Sequence, residues 1–231
     1  MANYSLVKVF VDKLHTEVRE TKLLLLEIMH NMMEYAELRK DVLSTSAMKY
    51  FTEYLQSPDE ELCCGAARCI GDLAVETLGK TQADGCGTVE ILTNQIMGKQ
   101  KEKTPSMAPI TYAFMMWVKS YKNWIDKKPK ENEWHATVCG IFCRILIVVE
   151  AMYRVLKRNS GLLDRVLNLA YHPSLEVAVN CIKIATILAE SPEGRRFYLD
   201  NFPKVKALQK LPDPGLKRSA EILALVTNWK P

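Results

Sequence analysis

Long hydrophobic runs are missing from this sequence. Its most apolar stretch, CGIFCRILIVVEAMY (139–153), carries Arg144 and Glu150 and is too short and too charged to span a bilayer, so no membrane insertion is expected. The opening residues MANYSLVKVFVDKLHTEV lack a cationic segment followed by an unbroken apolar run, which argues against a secretory leader. Charge of one sign is also scarce. The 31 Lys and Arg against 27 Asp and Glu leave a formal +4, short of the dense basic face that a dedicated nucleic-acid binder presents. Aromatics make up only 8%, and the ten glycines form no phosphate-cradling loop. No G-x-S-x-G and no H-E-x-x-H occurs, which removes two common hydrolytic designs. Sustained alternation of apolar and polar residues between hairpin turns is absent, so strands are not expected. Seven cysteines, an odd number without a leader, read as thiols in a reducing compartment rather than a disulfide framework.

Helical periodicity fills the space these absences leave. In LQSPDEELCCGAARCIGDLAVE (55–76), Leu62, Ala66, Cys69, Ile70 and Leu73 recur at i, i+4, i+7, i+8 and i+11, one face of a helix. Ser57 is placed at its N-cap, Pro58 at N1 and Glu60 at N3, a Ser-x-x-Glu capping box. Gly79 and the following TQADGCG read as its stop.

The same grammar returns twice. Laying Pro58 on Pro173 of YHPSLEVAVNCIKIATILAESPEG (171–194) matches Glu61 to Glu176, Leu62 to Val177, Ala66 to Cys181, Cys69 to Ile184 and Leu73 to Leu188. A third copy, LPDPGLKRSAEILALVTNW (211–229), sets Pro212 39 residues after Pro173. A shorter amphipathic helix precedes each: SAMKYFTEYL (46–55), SGLLDRVLNLA (160–170) and NFPKVKALQK (201–210). Periods of this length mean stacked helical units, none able to bury its apolar face alone.

A medium helix, a short loop with Ser-Pro-Asp-Glu and a long helix rich in small residues ending Leu-Ala resembles an armadillo repeat, with HEAT-type repeats looking similar. The resemblance implies an all-α, right-handed α-solenoid of roughly five helical hairpins in one domain over residues 1–231. Residues 1–44 read as an N-terminal capping hairpin and 45–79 as a clear repeat. Residues 86–157 read as irregular repeats with loops near 99–109 and 126–133, and 160–229 as two C-terminal repeats. In peptide-binding armadillo proteins the long helix carries an asparagine just before its final Leu-Ala, and those asparagines grip an extended backbone. Here the matching positions hold Asp72, Ile187 and Val226, so the resemblance implies binding without that ladder.

Several clusters invite chemistry. Cys63 and Cys64 are adjacent on a helix and point about 100° apart, a poor start for tetrahedral zinc. Cys69 shares the apolar face, so packing is the favoured reading for all three. His135, Cys139 and Cys143 recur at i, i+4, i+8, a spacing suited to a metal or to a base and nucleophile, but no further ligand or acid is evident. Here too, core packing is favoured. WVKSYKNWIDKKPKENEW (117–134) sets Trp117, Tyr121 and Trp124 at i, i+4, i+7 among Lys119, Lys122, Lys127, Lys128 and Lys130. A stacking groove for single-stranded nucleic acid has this composition. An aromatic core seam beside a solvated lysine-rich loop is favoured over it, and a partially exposed stripe docking a protein is the third reading.

Function is therefore expected in a surface rather than a cleft. The chain reads as a non-enzymatic scaffold or adaptor for protein partners, within a larger assembly as one setting, with no cofactor and no metal. A nucleic-acid-binding repeat is the alternative. Expected contacts are Arg68, Asp72, Lys183, Glu221 and the stretch Trp117, Lys119, Tyr121, Lys122, Trp124 and Lys128. A cytoplasmic location is expected, with nuclear, cytoskeletal or ciliary ones as alternatives.

Overall fold

The computed structural model describes residues 6–98, 107–118, 153–154, 156–158 and 161–229. Among them the regular structure is helical and no strand occurs. The chain divides into two compact units, Met1–Tyr153 and Arg154–Pro231.

The first unit contains α1 (Leu6–Thr16), α2 (Arg19–Met32), α3 (Ala36–Leu43), α4 (Ala47–Tyr54), α5 (Glu60–Leu73), α6 (Thr77–Gly85), α7 (Thr88–Ile96) and α8 (Met107–Val118). Long helix α5 is its spine: it packs on α2 at one side, on α8 at the other and on α4 beneath. Ala66, Cys69, Ile70 and Leu73, four of the five residues on the periodic face, are fully buried. Phe51 and Leu55 of the α4 segment are buried as well, and α4 packs on α5.

The cap of α5 differs from the sequence expectation. Asp59, not Ser57, is the N-cap: its carboxylate accepts the N–H groups of Glu61 at 3.0 Å and Leu62 at 3.3 Å. Ser57 Oγ instead accepts the Asp59 N–H at 3.1 Å, and the helix starts at Glu60. An anionic acceptor complements the positive helix end better than a hydroxyl does. Pro58 therefore precedes the N-cap, as Pro173 precedes Ser174 and Pro212 precedes Asp213. Arg19, at the first turn of α2, bonds both Asp59 and Glu61, joining the starts of the two long helices.

Gly79 is a second correction. It does not stop a helix but lies inside α6. A Cβ there would overlap the Leu73 carbonyl, so glycine lets α6 turn tightly off the end of α5. Gly194 repeats the arrangement against the Leu188 carbonyl in the other unit. Two described glycines are left-handed: Gly87, at φ 73°, opens α7, and Gly98, at φ 67°, follows its end.

The second unit contains α9 (Leu162–Leu169), α10 (Leu175–Leu188), α11 (Pro192–Asp200), α12 (Phe202–Leu208) and α13 (Pro214–Asn228). Helix α10 packs on α9 and α13, and α12 packs on α13. The register read from the prolines holds in the core: Val177, Cys181, Ile184 and Leu188 are buried, as is Leu223. Two short helices precede a long one three times over: α3 and α4 before α5, α6 and α7 before α8, α11 and α12 before α13. For the copies that end in α5 and α13, one short helix is expected from the sequence, and the structure adds the other.

Candidate partner-binding surface

Asp72 sits on the last turn of α5, one residue before Leu73. Its Oδ2 lies 2.5 Å from His30 Nδ1 of α2, and Tyr112 of α8 donates its hydroxyl to Oδ1 at 3.3 Å. A row of three polar side chains thus crosses three stacked long helices, with sequence separations of 42 and 40 residues. Gly71 makes the second contact reachable, because a Cβ there would overlap the Tyr112 ring.

The electrostatics of the row follow from its depth. The Asp72 side chain is 12% exposed and that of His30 38%. Burial holds the Asp72 carboxyl above the usual carboxylate range, and the His30 hydrogen bond pulls it part of the way back. Burial and the neighbouring Asp72 push the Tyr112 hydroxyl up to about 12, so it stays a donor at neutral pH. Asp72 is therefore already engaged by two partners of this chain. Arg68, one turn earlier on α5, is exposed.

The other expected contacts scatter. Lys183 on α10 and Glu221 on α13 are exposed in the second unit. Trp117 is 2% exposed and lies 5.8 Å from Phe114, ring centre to ring centre, inside the core of the first unit. Its part in the stripe is that of a core residue and not of a docking anchor. Burying an indole gains more than a soluble surface position returns. Lys119, Tyr121, Lys122, Trp124 and Lys128 lie outside the described residues, as do His135, Cys139 and Cys143.

His30 and Tyr112 are the residues that sequence reasoning missed. The signal was present as spacing: both fall within the repeat period of Asp72, on helices ahead of and behind α5.

The cysteines of α5 belong to packing. Cys63 and Cys69 are buried, and each thiol donates to a backbone carbonyl at 3.4 Å, of Leu55 and Leu26 respectively. Burial pushes the Cys63 thiol up to about 11 and the Cys181 thiol up to about 12, and raises Cys69 as well. Such groups are neutral at physiological pH and poor nucleophiles. Among the described residues no three or more His, Cys, Asp or Glu side chains gather as a metal site would require.

No protein-family model matches the chain. Solved structures do. A computationally designed armadillo repeat protein for modular peptide recognition aligns with a TM-score of 0.69 at 15% identity, covering 96% of this chain and 82% of that one. A designed armadillo repeat protein in complex with the peptide (KR)4 aligns at 0.70 and 15% identity, again over 96% and 82%. An engineered protein from a structural genomics consortium aligns at 0.72 and 15% identity, over 97% of this chain and 48% of that chain. At that identity the likeness speaks for architecture: this chain has the all-α fold of an armadillo-like helical-repeat solenoid.

Proposed function

We propose that the chain is a non-enzymatic protein-interaction module, a scaffold or adaptor that holds a protein partner along the exposed faces of its long helices. The observation that carries this reading is the row His30, Asp72 and Tyr112. It occupies the face on which the resemblance places a peptide-gripping ladder, yet its members bind one another. Recognition then falls to the exposed side chains beside it, Arg68 first, with Lys183 and Glu221 serving the same role in the second unit. Two further points support the module. The described thiols that burial raises are unsuited to attack. A similar designed armadillo protein was solved holding a peptide, so the architecture suits that task. Among the described residues no helix is long and apolar enough to cross a membrane. A cytoplasmic setting fits the abundance of reduced cysteine.

Affinity capture from native extract, comparing the unsubstituted chain with Arg68→Glu and Lys183→Glu, tests the reading. One protein should co-elute with the chain and fall about tenfold with Arg68→Glu, a loss of about 1.4 kcal/mol, while the melting curve is unchanged. Equal capture by all three forms, or no retained protein, overturns it.

A further inference from the structure

Two long helices turn an open edge outward. On α13, Arg218, Glu221, Ile222 and Leu225 recur at i, i+3, i+4 and i+7, and Trp229 follows as the C-cap of the helix. The opposite face, Leu216, Ala220, Leu223, Ala224 and Thr227, is in the core. Leu225 is 72% exposed and Trp229 59%, with Ile222 exposed one turn before Leu225. In the register that lays Pro58 on Pro212, Leu225 falls on Gly71, the very position that α8 covers with Tyr112 in the first unit. What is covered by the next long helix on α5 is a bare leucine on α13.

Helix α2 presents the complementary case. Its outward stripe is Glu20, Leu24, Glu27, Ile28 and Asn31, all exposed. Displaced by the 42 residues that separate His30 from Asp72, it falls on Leu62, Ala66, Cys69, Ile70 and Leu73, the periodic face of α5. On α5, Cys69 of that face meets the preceding long helix, its thiol on the Leu26 carbonyl, and Gly65 at the border of the face lies against the Leu26 side chain. On α2 it has exposed leucine and isoleucine instead.

The charges around the two edges are opposite. Glu20 and Glu27 line the α2 stripe. Lys217 and Arg218 flank the α13 stripe, and Arg195 of α11 stacks over Trp229 at 5.2 Å, with Glu221 the one acid among them. Unpartnered apolar stripes rimmed by complementary charge mark a contact surface.

We propose that the occupant of each edge is a second copy of this chain, joined head to tail. Helix α2 of one copy stacks on the open edge of α13 of the copy before it, as α5 stacks on α2 within the first unit. Leu225 and Ile222 meet Leu24 and Ile28, while Lys217 and Arg218 face Glu20 and Glu27. The contact is heterologous, so it leaves one open edge at each end of the pair and grows unless it closes into a ring.

Sedimentation velocity on the full chain at rising concentration tests this, with two blocked forms: Leu24→Glu, which spoils the α2 edge, and Leu225→Glu, which spoils the α13 edge, the two new acids repelling one another where both spoiled edges meet. Both positions are exposed, and thermal melts confirm that the fold is kept. The unsubstituted chain should gain mass with concentration, and each blocked form alone should associate about tenfold more weakly. Their equimolar mixture has one good edge of each kind left and should stop at a 1:1 dimer. An unsubstituted chain that stays monomeric throughout overturns the proposal and assigns the edges to another partner. So does a blocked form that associates normally, or a mixture that fails to pair.

Discussion

His30 and Asp72 lie 42 residues apart in sequence and meet at 2.5 Å, Nδ1 to Oδ2, tying the end of α2 to the end of α5. The contact sits in a partly buried row that Tyr112 completes, and there the Asp72 carboxyl is held above the usual carboxylate range.

Burial raises the Asp72 carboxyl, so the folded chain binds that proton more tightly than the unfolded chain, where aspartate titrates near about 3.9. The stability linked to this group is fully present below that value and is lost as pH rises through the raised folded-state value. Denaturant unfolding of the unsubstituted chain and Asp72→Asn between acid and neutral pH should show it. The unsubstituted chain loses stability relative to the variant as pH rises across this window. Parallel curves would contradict the assignment.

Gly79 and Gly194 stand against the carbonyls of Leu73 and Leu188, where a Cβ has no room. Gly79→Ala and Gly194→Ala should each destabilise by about 1–3 kcal/mol through forced displacement of the helix start. Gly85→Ala meets nothing within 4 Å of the added Cβ and should be neutral or stabilising by up to about 1 kcal/mol. Equilibrium denaturation separates the two classes.

Trp117 is a core side chain, so Trp117→Ala should cost about 3–5 kcal/mol. Arg68→Glu, at an exposed position, should stay within about 0.5 kcal/mol. Thermal and chemical melts give both numbers, and a Trp117→Ala chain of unchanged stability would return that residue to the surface.

Cys86 is exposed, whereas Cys63, Cys69 and Cys181 are buried. Brief alkylation of the folded chain, mapped by mass spectrometry, should modify Cys86 and spare those three. They should react only once the chain is unfolded in denaturant.

Local pattern was enough to read the helical class of the chain and the repeat that relates α5, α10 and α13. The face Ala66, Cys69, Ile70 and Leu73 was legible because helical periodicity is local, a matter of 3.6 residues per turn within one segment. The proline register carried that face to Val177, Cys181, Ile184 and Leu188 for the same reason. Helix α6 was not legible: TLGKTQADG has little apolar signal, and its glycine reads as a break. Only contact with the Leu73 carbonyl, made across the chain turn, explains why glycine belongs inside it. The α5 cap was misplaced by two residues because Ser57 and Asp59 both offer a cap, and the choice depends on which oxygen reaches the open N–H groups.

Which side of each stripe meets a neighbour came from the packing of distant helices. Trp117 went inward, Leu225 outward, and His30 and Tyr112 converged on Asp72. A periodic pattern gives the angle of a side chain around its own helix. Whether that angle points at protein or at water is set by another helix some forty residues away, and no local pattern records where that helix lies.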